Sequence, residues 1–233
     1  MLLEYREDDL KGPRAGSDVY AASSQESRGG SVTSTAGSLK EYARRYVNSE
    51  SPAWVRQYLS PEGLLLDVGC AGGALAAHVG HARYRGIDRE QILVDHCVAK
   101  GLEVRQGSIT EIPFESGLFT CVYCSHVLEH VDADAQYAGM RECFRVLKPR
   151  GRLIVRAPTP YHWYFYDDPT HVRPVTHTSL EIMARDVGFE SVLTFYSAAR
   201  RLPWLLQRYL RVLPIPFLFW EVCLIAEKDH IGA

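Results

Sequence analysis

The sequence has no apolar run long enough to cross a bilayer, and Pro214 and Pro216 interrupt its most apolar stretch. Nor does it have an excess of positive charge. Lys and Arg number 26 against 28 Asp and Glu, so no basic field argues for nucleic acid as a partner. The opening residues MLLEYREDDLKGPR are too acidic and too little apolar for a secretory leader. There is no internal repeat. Cysteines are few and scattered, at 70, 97, 121, 124, 143 and 223, and only Cys121 and Cys124 are spaced C-x-x-C. They lie in LFTCVYCS, an alternating run that reads as a strand, where residues three apart face opposite ways. Such a pair cannot easily share a metal ion or close a disulfide. Buried free thiols in a reducing compartment are expected, which makes the expected location cytoplasmic.

What is present suits one α/β domain. Apolar residues make up 46% and charged residues 23% of 233, enough to bury a core that stands alone. Residues 1–39 are expected to form a flexible arm, because 11–39 are rich in Gly, Ser and Thr and bury too little to offset their ordering entropy. Residues 40–233 make the domain. LKEYARRYVNS and SPAWVRQYLS read as helices, the second with Ser51 as N-cap and Pro52 at its first position. From residue 64 strands and helices alternate: LLLDVG, GGALAAHVG, RYRGID, REQILVDHCVAKG, LEVRQG, LFTCVYCS and ADAQYAGMRECFRVL. The last is a helix with Tyr137, Met140, Phe144 and Leu147 on one face, stopped by Pro149. GRLIVRAP is a fifth strand, and Thr178 with Glu181 reads as the capping box of a further helix. FESVLTFYS and FWEVCLIAEK close the pattern as strands. Alternation of this kind predicts a doubly wound parallel sheet, with ligands bound at the carboxyl ends of its strands.

Those ends carry the chemistry. In LLLDVGCAGGALAA, Gly69 and Gly73 let the backbone approach a ligand at the turn into the first helix. About twenty residues on, Asp88 ends the second strand, where a carboxylate can take both hydroxyls of a ribose. The pair predicts an adenosine-containing ligand. A nicotinamide-binding loop would have glycine where Ala71 stands and would lack the acid that Asp67 places inside it.

LDVGCAGG, GID, GSITEIPFESGLFTCVYCSHVLEHV, ECFRVLKPRGRLIV and EVCLIAEK, in this order, resemble the class I S-adenosylmethionine-dependent methyltransferases. The likeness is to bacterial small-domain enzymes acting on small molecules, quinones or sugars. It implies a Rossmann-like seven-stranded sheet of order 3-2-1-4-5-7-6, with the last strand antiparallel. It also implies S-adenosylmethionine as cofactor. Asp67 and Gly69 would lie against the methionine part, with Cys70, Ala71 and Gly73 of the same loop also at the cofactor, Asp88 at the ribose, and Arg89, Ser108 and Ile109 at the adenine. Ser108 stands where the family often has Asp. Cys124, Ser125 and His126 would pass close to the sulfonium, His126 as a catalytic candidate.

SHVLEHV also contains H-x-x-E-H, the signature of inverted zinc proteases. Those histidines lie inside a long helix, whereas here the motif follows a strand directly. Some methyltransferases of this fold hold a divalent ion on an E-x-x-E-H loop. Here His126 replaces the first Glu, leaving Glu129 and His130 to be completed by a later histidine. Loops with LEH alone are mostly metal-free, so no metal is expected.

Residues 158–177, crowded with aromatics, are expected to form a lid over the acceptor. Tyr161, Trp163, Asp168 and Arg173 are its substrate candidates, and His171 is either the base that takes the acceptor's proton or a structural brace. Residues 200–219 read as a basic amphipathic insert that packs on the core, forms a homodimer interface, or touches an anionic membrane peripherally. The acceptor is expected to be a small molecule, a glycan or a lipid-linked compound, methylated on oxygen rather than nitrogen or carbon. Two rivals stay open: a nicotinamide-dependent oxidoreductase and a non-catalytic cofactor-binding protein.

Overall fold

The computed structural model describes residues 55, 58–59, 62–161, 164–198 and 219–229. The arm 1–39, the helices expected over 40–60 (apart from residues 55, 58 and 59), His162, Trp163 and all but the final residue of the insert 200–219 lie outside them.

Seven strands form one sheet: β1 (Leu65–Val68), β2 (Tyr84–Asp88), β3 (Val104–Gln106), β4 (Phe119–Ser125), β5 (Leu147–Pro158), β6 (Phe189–Ala198) and β7 (Phe219–Lys228). Their order is β3-β2-β1-β4-β5-β7-β6. The pairs from β3 to β5 are parallel, and β7 runs antiparallel to both β5 and β6. The helices are α1 (Ala76–Val79), α2 (Gln91–Ala99), α3 (Ala133–Val146), α4 (Tyr164–Asp167) and α5 (His177–Val187).

Alternation along the central strands splits the core into two. Leu66, Val122, Cys124, Leu153 and Val155 pack on one face of the sheet. Leu65, Cys121, Tyr123 and Ile154 pack on the other. Cys121 and Cys124 therefore lie on opposite faces, and all six cysteines are buried and outside any disulfide. Among the described residues no helix is long and apolar enough to cross a membrane.

Several local readings shift. The helix expected from Gly72 shrinks to the four residues of α1, because the loop before it is taken up by turns. The buried face of α3 is Gln136, Gly139, Met140, Cys143 and Val146, rotated from the expected stripe. The rotation seats Gly139 on Ile109, where a Cβ would stand 2.7 Å from Ile109 Cγ1. Pro149 does not stop this helix. It ends at Val146, and Pro149 lies within β5. Lys228 closes the helix end instead, its Nζ donating to the carbonyls of Phe144 and Leu147 at 2.7 and 2.9 Å. The cap of α5 is Thr176, whose hydroxyl accepts from Ser179 N while Ser179 Oγ accepts from Thr176 N. The capping box is thus two residues earlier than Thr178 and Glu181.

Candidate active site

The turn after β1 is built from its own backbone. Gly69 N and Cys70 N both donate to the Ile87 carbonyl at 2.9 Å, and Gly73 N to the Cys70 carbonyl at 2.8 Å. Gly69 and Gly73 take φ of 69° and 70°, and Ala71 takes 46°, a conformation in which its side chain is strained. A Cβ on Gly69 would lie 2.5 Å from Val127 Cγ2, so this glycine lets the loop after β1 touch the loop after β4.

Two buried acids frame the turn. Asp88 Oδ2 accepts from Ala71 N at 2.9 Å, and its Oδ1 from Glu90 N at 3.0 Å. Burial lifts its carboxyl above the ordinary range, against the pull of these two N–H groups. Asp67 is 5% exposed. Burial raises its carboxyl to about 7, opposed by a hydrogen bond from Tyr84 and reinforced by the nearby charge of Asp88. No described cation offsets Asp67. A ligand that is itself cationic fits a buried acid of this kind, and the sulfonium and α-amino groups of S-adenosylmethionine are cationic.

The other cofactor candidates surround this turn. Arg89 is largely exposed and meets Glu90 at 3.2 Å. Ser108 bonds Thr110 at 2.9 Å, and Ile109 is buried. Arg145 ties their loop to α3 by donating to the carbonyls of Ile112 and Phe114. Cys124 is buried at the end of β4, with Ser125 partly exposed after it.

His126 departs from its expected role. Its φ is 56°, and Nδ1 and Nε2 donate to Glu129 Oε1 and Glu221 Oε1 at 3.2 and 3.0 Å. Burial works against the charge, but the two carboxylates prevail and raise the imidazole to about 9. An imidazolium with both N–H groups engaged has no lone pair with which to take a proton. His126 is therefore an ionic clamp. Glu221 also accepts from Arg156 Nε and Nη2, and Arg156 Nη1 meets the Tyr123 hydroxyl at 3.0 Å.

The segment after β5 is tied to the same loop. Val172 N and Arg173 N donate to the Glu129 carbonyl at 2.7 and 3.1 Å. Gln136 Nε2 donates to the Leu128 carbonyl at 2.9 Å. Arg173 reaches Gln136 Oε1 at 3.3 Å. Asp168 accepts from the N–H and hydroxyl of Thr170 and does not hold His171 through its carboxylate. His171 instead donates from Nδ1 to the Phe165 carbonyl at 2.6 Å, with its ring 4.8 Å from that of His130. Tyr161 is half exposed. Reasoning from sequence missed Tyr84, Arg156 and Glu221. Only Glu221 leaves a trace there, as an acid opening an apolar strand.

Residues 66–155 match a family described as a methyltransferase domain. A probable S-adenosylmethionine-dependent methyltransferase of Mycolicibacterium smegmatis is 30% identical over 135 residues, covering 54% of this chain and 51% of that protein. The mitochondrial ubiquinone biosynthesis O-methyltransferase of Saccharomyces cerevisiae is 29% identical over 128 residues, covering 50% and 40%. The chain thus spans about half the length, or less, of these curated relatives. A crystal structure of a methyltransferase from Archaeoglobus fulgidus superposes with a TM-score of 0.62 at 22% identity, covering 82% of this chain and 94% of that one; this likeness speaks for the fold. Taken with the sheet order and the motif order, the matches make residues 66–155 similar to the methyltransferase domain of S-adenosylmethionine-dependent enzymes, on the fold of that class.

Proposed function

We propose that the chain transfers a methyl group from S-adenosylmethionine to an oxygen of a small-molecule, glycan or lipid-linked acceptor. The observation that carries this reading is the pair of buried acids, Asp67 and Asp88, on either side of a glycine turn that has no described cation against Asp67. Asp67 would face the cationic methionine part, and Asp88, whose oxygens can still accept, the ribose hydroxyls. The cofactor, when bound, supplies an already activated methyl carbon, so a covalent nucleophile is unnecessary.

The work left to the protein is alignment and exclusion of water. The loop after β4 and the segment after β5 are joined through the Glu129 carbonyl, so the segment after β5 is held against the end of β4. Oxygen as the acceptor atom is supported by the likeness to the yeast O-methyltransferase. Residues 200–219, with Arg201, Arg208 and Arg211 and no acid among them, support peripheral contact with an anionic membrane as a way to reach a lipid-linked acceptor.

Labelled S-adenosylmethionine incubated with the protein and fractionated metabolite or lipid extracts tests the reading. A labelled product that needs the protein, and whose transferred methyl carbon resonates as a methoxy group, supports oxygen transfer to such an acceptor. Binding of NADH in preference to S-adenosylmethionine would overturn it in favour of an oxidoreductase.

A further inference from the structure

Glu129, His130 and His171 converge beyond the carboxyl end of β4, each with one donor atom within 4.8 Å of the other two. The hydrogen bonds around them leave a consistent set of lone pairs. His171 Nδ1 faces the Phe165 carbonyl at 2.6 Å. A carbonyl only accepts, so Nδ1 carries the proton and Nε2 the lone pair of the neutral ring. His130 Nδ1 faces the Thr170 carbonyl at 3.2 Å and Thr170 Oγ1 at 3.0 Å. The Thr170 hydroxyl donates to Asp168 Oδ1 at 2.6 Å, so in His130 too Nδ1 is the donor and Nε2 is left free. Glu129 is wholly buried. Its Oε1 accepts the hydrogen bond from His126 Nδ1, while Oε2 is buried with no hydrogen-bond partner.

We propose that Glu129, His130 and His171 form a binding site for a first-row divalent transition-metal ion such as Zn2+ or Mn2+. Two imidazoles and one carboxylate are a donor set these ions take, whereas Ca2+ and Mg2+ favour oxygen ligands throughout. Each ring is oriented by an Nδ1–H to carbonyl bond, the arrangement that fixes ligating histidines in the required tautomer. An ion also gives Glu129 Oε2 the partner it lacks. Ligands about 2.1 Å from one ion stand about 3–3.5 Å apart, so loading draws the three donors together. Position 126 supplies no ligand here. Its Nδ1, 3.2 Å from Glu129 Oε1, holds that oxygen and leaves Oε2 to the metal. Three protein ligands leave coordination positions open beside the acceptor side of the domain. The expectation of a metal-free loop left the completing histidine unidentified, and the segment after β5 brings it as His171.

The test is titration calorimetry of the full chain, stripped with chelator, against Zn2+ and separately Mn2+, with no cofactor or acceptor present. One ion per chain is expected, with His130→Ala and His171→Ala each weakening it at least 50-fold while the circular dichroism spectrum is retained. No uptake by the stripped parent, or unchanged affinity in both folded variants, overturns the site. If a variant does not fold, the imidazole 15N resonances of the parent decide. Zn2+ should shift the Nε2 signals of His130 and His171 far more than those of His126; unmoved signals at His130 and His171 overturn the proposal. Methyl transfer enters none of these readouts, so the metal site and the proposed function fail separately.

Discussion

The Tyr84 hydroxyl donates a 2.9 Å hydrogen bond to Asp67 Oδ2 between neighbouring parallel strands, with both side chains out of solvent. That bond moderates an acid which burial has raised to about 7. In the folded protein without ligand Asp67 holds its proton up to that pH, so its own contribution to stability is present at low pH and is lost as pH rises through about 7. A cationic ligand prefers the ionised form. Affinity for S-adenosylmethionine should therefore rise about tenfold per pH unit below 7 and level off above it. Tyr84→Phe should move that midpoint upward, since a bond favouring the anion is gone. Calorimetric titrations between pH 5.5 and 8.5 check both, and a flat profile in the parent would exclude Asp67 from the cationic end of the ligand.

Asp88→Ala should weaken cofactor binding by about 1.5–3 kcal/mol, roughly 10- to 150-fold. The loss has two sources, because Asp88 also holds Ala71 N and Glu90 N. Asp88→Asn retains acceptor capacity and should fall between parent and Ala. Equal affinity in Asp88→Ala and parent, measured by calorimetry, would sink the ribose assignment.

Glu221→Gln should destabilise the fold by about 3 kcal/mol, since it leaves Arg156 and His126 together without their shared counter-charge. Chemical denaturation at pH 7 measures it. A change below about 0.5 kcal/mol would mean that the network is dispensable.

His171→Ala should lower turnover at least tenfold while cofactor affinity stays near that of the parent, because its contacts are to Phe165 and His130, away from the glycine turn. Loss of cofactor binding or of thermal stability in step with turnover would mark it as a brace alone.

Co-sedimentation with anionic liposomes tests the segment 200–219. Binding at low salt that fades at high salt is expected, with Arg208→Glu and Arg211→Glu abolishing it. Absence of binding at low salt leaves core packing or a dimer interface as its use.

The strand positions were legible because apolar runs of strand length alternate with helical ones, the sheet order came from the family resemblance, and Gly69, Asp67 and Asp88 sit at strand ends and turns that sequence spacing marks. FWEVCLIAEK coincides with β7 residue for residue. The misreadings arose where tertiary contact decides. Gly139 faces inward because Ile109 fills the space a side chain would need, and no periodicity reports that. Tyr84 reads as one more apolar strand residue, and its hydroxyl matters only because β2 pairs with β1 in the register Leu65↔Tyr84. His126 looked free to act at the site since its two carboxylate partners come from different strands' ends, one of them far along the chain.

The clamp on His126 spans 95 residues, from the end of β4 to Glu221 in β7. Because β7 enters the sheet between β5 and β6, β6 is made before the strand it must pair with. At about 5–20 residues per second of synthesis, β6 waits a second or more for β7, and His126 waits about 5–20 s for its second carboxylate. The glycine turn and Asp88, close together in sequence, can assemble long before that. Birth of this protein on the ribosome thus has a fixed calendar: the cofactor half first, the acceptor half last, with an unpaired strand edge exposed in between as the interval in which a chaperone would matter most.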